Sequence, residues 1–147
     1  MSRFAATREL LAPVEDVWAF VAEPHNLADW WPGVAGVTPD RRGLAPGARW
    51  ALRGPTLPGE SFGIFAAMTR APTTAGTLLV LEVVPRERFR FHLVQDRIDA
   101  DLQLAPAGDR RTRAALVVEA PFLRVRRTLP TRALNRLHSL VQTSADA

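Results

Sequence analysis

The chain of 147 residues has the usual size of one domain, and its 47% hydrophobic and 23% charged residues exclude a disordered chain. It contains no cysteine, which excludes disulfides, a thiolate nucleophile, sulfur-ligated zinc and iron–sulfur clusters. No apolar run approaches the ~18 residues that cross a bilayer. The polar N-terminus, MSRFAATREL, is unlike a secretory signal, so we predict a cytoplasmic protein. The net charge is +4, which is a modest field. We predict a single domain, residues 1–147, that is stabilised by packing.

The N-terminal part is predicted to form a strand and two short helices. Residues 4–11 are expected to form the first strand, which ends at Pro13. Pro13 suits the first turn of a helix. The apolar residues that follow recur with the spacing of one helical face: Val14, Val17, Trp18 and Val21. Pro24 ends this helix, and a second helix is expected at residues 26–30, before a Pro-Gly dipeptide.

The middle of the chain changes from a helical to an alternating period, which predicts an antiparallel meander. The clearest signals are the apolar run TLLVLEVV and a stretch in which Phe89, Phe91 and Leu93 alternate with polar residues. Glu82 alternates with apolar neighbours and is expected to face outward. The predicted strands cover residues 34–38, 47–53, 77–84, 88–93, 98–104 and 112–120.

The C-terminal stretch returns to helical spacing. Leu134, Leu137 and Val141 lie on one apolar stripe, which predicts an amphipathic helix. Pro130 either starts this helix within its first turn or kinks a longer helix that begins near Phe122, and both alternatives stay open.

Residues 54–75 fit neither the helical nor the strand pattern. The segment is rich in glycine and proline and also carries large apolar side chains, among them Phe62, Phe65 and Met68. Long connections of this kind in compact domains are often functional. The segment is therefore either a lid that closes over a ligand or an irregular edge strand that completes the core.

The order of the predicted elements favours an α+β fold with a hydrophobic pocket. A curved antiparallel sheet has one concave apolar face, which an amphipathic helix must cover. One helix about 10–12 Å wide does not fill the concavity of a strongly curved sheet. The remaining space holds either large side chains or a cavity, and such cavities commonly bind apolar ligands.

The segment LLAPVEDVWAFVAEPHNLADWWPGV, residues 10–34, resembles the opening of the START-like, or SRPBCC, superfamily, and more narrowly its bacterial polyketide cyclase/dehydrase-like group. The similarity continues in GARW at residues 47–50, in EVVP at residues 82–85 and in the closing apolar helix. The resemblance implies a helix-grip fold: a curved six- to seven-stranded antiparallel sheet with two short N-terminal helices and one long C-terminal helix. It also implies ligands such as polyketide-like aromatics, lipids or isoprenoids.

The candidate ligand-binding residues are bulky side chains expected around the concave face, together with two polar groups. Adjacent helical residues point about 100° apart, so Trp30 and Trp31 are not both expected in the core; one closes the sheet and the other faces the cavity mouth. Phe89 and Phe91 are either core or pocket wall. The candidates are Trp30, Trp50, Phe62, Phe65, Met68, Phe89, Phe91, Arg97, Leu134 and His138.

The two polar candidates have alternative explanations. His138 flanks the apolar stripe of the last helix, where it either offers a donor or base to the cavity or is a partly buried structural histidine. Glu82, Arg97 and Arg53 are groups that an enzyme acting on a carbonyl compound could use. Pairing of Arg97 with Asp96 or Asp99 is the simpler interpretation.

Three functions are compatible with the sequence: a protein that binds, transports or sequesters a hydrophobic small molecule, a cyclase/dehydratase that uses the same pocket, and a ligand-free interaction module with a filled core. No histidines have metal-ligand spacing and no serine lies in a GxSxG elbow, so neither a metal nor a covalent nucleophile is expected, and no cofactor is predicted. The absence of tyrosine and the scarcity of inward polar residues favour binding over catalysis. The C-terminal arginines are expected on a solvated face, so no nucleic acid is expected as a partner and the predicted partner is a hydrophobic small molecule. The protein is expected to be a monomer or a weak homodimer.

Overall fold

The computed structural model describes residues 1–54, 76–121 and 125–146. In this part of the chain, seven strands form one sheet and the helices lie at the two ends of the sequence. The strands are β1 (Ser2–Leu10), β2 (Gly36–Thr38), β3 (Arg49–Arg53), β4 (Gly76–Val84), β5 (Arg88–Leu93), β6 (Ile98–Pro106) and β7 (Thr112–Ala120). The helices are α1 (Val14–Ala22), a 3₁₀ turn (Pro24–Asn26), α2 (Leu27–Trp30) and α3 (Leu129–Asp146). The predicted α+β helix-grip fold is confirmed.

The strand order in the sheet is β1-β7-β6-β5-β4-β3-β2, and every neighbouring pair is antiparallel. Consecutive strands from β2 to β7 are neighbours, as expected of a meander, whereas β1 closes the far edge by pairing with β7. β5 therefore lies at the centre of the sheet, with three strands on either side. Its alternate residues Phe89, Phe91 and Leu93 are buried, which defines the face that the helices cover.

One irregularity in β4 decides where its side chains point. Val80 pairs with Phe91 and Glu82 pairs with Arg90, so Leu81 is an extra residue in the ladder, a β-bulge. Glu82 lies opposite an outward arginine, which confirms its predicted outward direction. The sequence pattern alone does not reveal the bulge, because the residues before Glu82 are apolar on both faces of β4.

The start of α3 settles how Pro130 is used. The described helix begins at Leu129, so Pro130 lies in its first turn, where the missing N–H group leaves no helical bond unmade. The stripe of Ala133, Leu134, Leu137 and Val141 is buried. It packs α3 against β1, β7, α1 and α2, as predicted for a helix that covers the sheet.

Candidate hydrophobic binding site

Five aromatic side chains make consecutive ring contacts and form what we call the aromatic cluster. Trp50 contacts Phe89 with ring centroids 5.8 Å apart, and Phe89 contacts Phe91 at 4.8 Å. Phe91 meets Trp31 edge to face at 5.2 Å, and Trp31 meets Trp30 edge to face at 5.7 Å. The cluster therefore extends from β3 across the centre of the sheet to α2 and the residue after it.

The position of Trp50 in the cluster depends on the connection between β2 and β3. Asp40 accepts hydrogen bonds from the backbone N–H groups of Arg42, at 3.0 Å, and Arg49, at 2.9 Å, which hold this connection in a compact loop. The backbone bond to Arg49 is the main reason why the pKa of the Asp40 carboxyl lies below its ordinary value. Gly43, at φ 60°, presents its carbonyl to the Trp50 indole N–H at 2.8 Å.

Trp30 and Trp31 are both completely buried, so the expectation that only one of them belongs to the core is wrong. The expectation assumed that both residues are helical. Trp30 is the last residue of α2, whereas Trp31 has φ −91° and ψ 119°, which is an extended conformation. The change of backbone conformation turns Trp31 away from the helical direction and lets both rings enter the same core.

The indole N–H groups of Trp30 and Trp31 have no hydrogen-bond partner in the described part of the chain, although both nitrogen atoms are buried. The core around them is otherwise apolar. Thr112 is the buried polar residue of the described core, and its hydroxyl donates to the Ala12 carbonyl at 2.8 Å. No sequence pattern signals an unpaired indole, because the state of the N–H group depends on which carbonyls the folded chain brings near it.

The aromatic cluster is closely packed. Trp30, Trp31, Trp50 and Phe91 are 0% exposed and Phe89 is 1% exposed, so these rings have essentially no water-accessible surface. The expected surplus space of the concavity is not found at these five side chains. A molecule can reach them only if the packed groups around them separate.

Among the described residues, the remaining candidates are not members of the aromatic cluster. Leu134 is buried on the inner face of α3. Arg97 is exposed in the turn between β5 and β6, in a left-handed conformation at φ 56°. Arg53 is exposed on β3, near the opposite edge of the sheet from β1. Phe62, Phe65 and Met68, and with them the choice between lid and edge strand, lie outside the described residues.

His138 lies on α3, where Arg8 of β1 approaches it. The Arg8 guanidinium donates to the Asn135 side chain one turn earlier on the same helix. Partial burial, with the positive charge of Arg8 as a smaller cause, lowers the pKa of the His138 imidazole. The three polar candidates lie on different elements: Arg53 on β3, Arg97 in the turn between β5 and β6, and His138 on α3.

The convex face of the sheet, on the side away from the helices, carries the charged network. The Arg88 guanidinium donates to both carboxylate oxygens of Asp101, at 2.9 and 2.6 Å. Partial burial opposes the charge on Asp101, but the hydrogen bonds from Arg88 and Gln103 outweigh it and hold the pKa of this carboxyl below its ordinary value. Grooves along this face are lined by Arg88, Gln103, Arg113, Glu82 and neighbouring residues.

Together, the seven-stranded sheet, the long closing helix and the apolar concave face define a helix-grip protein of the START-like class. A family model described as "Polyketide cyclase / dehydrase and lipid transport" matches residues 1–141, and the chain belongs to this family. Membership supports a role in binding a hydrophobic ligand or a cyclase-like role. A comparison of the sequence with curated proteins finds no match.

Solved structures share the fold at low sequence identity. The XoxI protein of Bacillus cereus aligns with a TM-score of 0.68 at 11% identity over 97% of this chain and 96% of its own. Protein NE0264 of Nitrosomonas europaea aligns with a TM-score of 0.63 at 18% identity, over 97% of this chain and 95% of its own. Protein CV1439 of Chromobacterium violaceum aligns with a TM-score of 0.62 at 19% identity, over 97% of this chain and 99% of its own. At these identities the likeness shows the fold alone. In the described residues, no helix is both long and apolar enough to span a membrane.

Proposed function

We propose that this protein binds a hydrophobic small molecule, such as a polyketide-like aromatic compound or a lipid, at the aromatic cluster between the sheet and α3. Binding there would serve to carry or sequester the molecule. The observation that carries the proposal is the chain of five aromatic rings that extends from the inner face of the sheet to α2 and the residue after it. Aromatic side chains offer large apolar contact areas, and flat ligands stack on them or meet their edges.

The polarity of the site favours binding over catalysis. Acid–base chemistry on a bound carbonyl compound needs a titratable group within hydrogen-bond reach of the reacting atoms. The described core buries Thr112 as its polar residue and no charged side chain. His138, Arg53 and Arg97 lie at separate places, so the described residues assemble no acid–base pair at the cluster. A cyclase-like activity therefore receives no support from this geometry.

One observation favours a second candidate, an interaction module without a ligand. The rings of the cluster have essentially no accessible surface, as expected of a core that is complete by itself. In that case the charged convex face would be the functional surface. The two candidates differ in one measurable property, which is whether an apolar molecule enters the core.

The test is a fluorescence titration with the neutral probe N-phenyl-1-naphthylamine, supported by native mass spectrometry of the purified protein for co-purified molecules. We expect saturable binding and a loss of about tenfold in affinity in Phe91→Leu, because the central ring of the cluster is removed. Leu116→Val, which shortens a buried aliphatic side chain on β7 outside the cluster, is the matched control and should bind as the wild type does. Absence of probe binding and of any co-purified molecule would contradict the proposal and favour the interaction module.

A further inference from the structure

The indole N–H groups of two adjacent tryptophans are buried in the core. The Nε1 atoms of Trp30 and Trp31 have no hydrogen-bond partner in the described part of the chain, and both side chains are 0% exposed. Buried polar groups in folded proteins are nearly always hydrogen-bonded, and an unmade bond destabilises the fold. Two unpaired donors in succession therefore need a physical explanation.

Trp50 provides a comparison within the same cluster. It is as deeply buried as Trp30 and Trp31, yet its N–H donates to the Gly43 carbonyl at 2.8 Å. The fold thus pairs the indole N–H of one of the three buried tryptophans of the cluster, whereas the other two have no partner in the described part of the chain. A phenylalanine at position 30 or 31 would supply an aromatic ring without leaving a donor unpaired.

In the closely packed core, the indole N–H groups of Trp30 and Trp31 meet no conventional hydrogen-bond acceptor in the described part of the chain. No water-accessible surface adjoins either nitrogen, so an ordered water does not fit beside them in this conformation. The edge-to-face contacts, at interplanar angles of 85° and 74°, bring ring edges against ring faces. An N–H group that points at a ring face gains only a weak interaction compared with a conventional hydrogen bond. In this conformation the described residues offer neither nitrogen a conventional acceptor, so a molecule that enters the cluster would be able to supply one.

We propose that Trp30 and Trp31 form a donor subsite for the oxygen of a flat, uncharged aromatic carbonyl compound; this inference rests on the proposed function. The acceptor is a carbonyl because its oxygen has two lone pairs and can accept from one or both indoles. The ligand is aromatic because Phe89 and Phe91 continue the cluster beside Trp31. It is uncharged because the described core buries no cationic group that would pair with a carboxylate, whose burial costs far more than that of a carbonyl.

The experiment compares 9-fluorenone with fluorene, which has nearly the same shape but lacks the carbonyl, by equilibrium dialysis. In the wild type we expect fluorenone to bind at least tenfold more tightly than fluorene and 9-fluorenecarboxylate to bind more weakly than fluorenone. Trp31→Phe and Trp30→Phe should lower the fluorenone-to-fluorene affinity ratio towards one, because both probes lose the same ring contact but only fluorenone loses a hydrogen-bond donor. Trp50→Phe is the matched control and should keep the ratio, because its N–H is already bonded within the protein.

A measurement on the unaltered protein makes the result independent of how the variants fold. In a ¹⁵N-labelled sample, the Nε1–H resonances of Trp30 and Trp31 should move downfield with fluorenone but not with fluorene, since only the ketone accepts a hydrogen bond. Equal affinity for both probes, or a ratio that survives both substitutions, overturns the donor subsite and leaves the proposed function standing. Failure of both probes to bind overturns the proposed function together with this inference.

Discussion

At the scale of single residues, hydrogen bonds between sequence-distant groups explain which polar side chains the core accepts. The Thr112 hydroxyl at the start of β7 donates to the carbonyl of Ala12, which precedes α1. This bond satisfies a buried carbonyl at the point where the chain leaves β1. Trp50 and Gly43, which are 7 residues apart in the chain, make a local pair of the same kind in which a backbone carbonyl satisfies a buried side chain.

Replacing Thr112 with valine should destabilise the protein by about 1–2 kcal/mol, because the Ala12 carbonyl loses its donor while the side-chain volume hardly changes. Urea denaturation gives the free energy of unfolding. Thr7→Val, the same change at an exposed position of β1, serves as the control and should stay within about 0.5 kcal/mol of the wild type. Equal effects of the two substitutions would contradict the assigned role of the bond.

The lowered pKa of His138 predicts a pH dependence of stability. Because the folded protein disfavours the imidazolium, the unfolded chain binds more protons near the ordinary histidine pKa, and stability should fall as the pH drops from 7 towards 5. His138→Gln should reduce this fall, which unfolding curves at several pH values measure. An unchanged pH slope in His138→Gln would refute the prediction.

At the scale of secondary-structure elements, sequence periodicity predicted most of the fold. The alternation of apolar and polar residues located β4 to β7 to within about two residues, and the spacing of Leu134, Leu137 and Val141 located α3. β2 is shorter than predicted and starts at Gly36. The β4 bulge and the extended conformation of Trp31 were not predicted, because both arise from packing against other elements rather than from a local pattern.

The pair of Arg88 and Asp101 ties β5 to β6 on the convex face. Asp101→Asn should lower the free energy of unfolding by about 1 kcal/mol at pH 7, a value reduced for the partial solvent exposure of the pair. Because the folded-state pKa of Asp101 is lowered, this contribution is present above the unfolded pKa near 3.8 and is lost as the pH falls through the folded-state value. The difference in the free energy of unfolding between the wild type and Asp101→Asn should therefore become smaller in acid.

Unfolding curves between pH 2.5 and 7 test this expectation, and Glu119→Gln provides the control. Glu119 pairs with Arg3 at 3.6 Å and its side chain is 43% exposed, so we expect its substitution to have little effect at any pH. A larger loss in Glu119→Gln than in Asp101→Asn would contradict the ranking of the two pairs.

At the scale of the whole molecule, the closed aromatic cluster constrains how a ligand can enter. Since the rings have essentially no accessible surface, an opening of the core has to precede or accompany binding. The rate of N-phenyl-1-naphthylamine binding, followed by stopped-flow fluorescence, should therefore reach a plateau as the probe concentration increases. A linear rise with a rate constant in the ordinary range of about 10⁵–10⁷ M⁻¹s⁻¹ would show instead that the site is open.

The sequence by itself determined the order and type of the elements, the apolar inner face and the family resemblance, because periodicity and local motifs are written along the chain. It could also single out Trp50, Phe89 and Phe91 as candidates on one face. Only the tertiary structure decided that Trp30 and Trp31 share one core with their indole N–H groups unpaired, and that His138 lies near Arg8. These properties depend on the register, the bulge and the packing of α3 on β1, which join residues that are far apart in the sequence and therefore leave no local pattern.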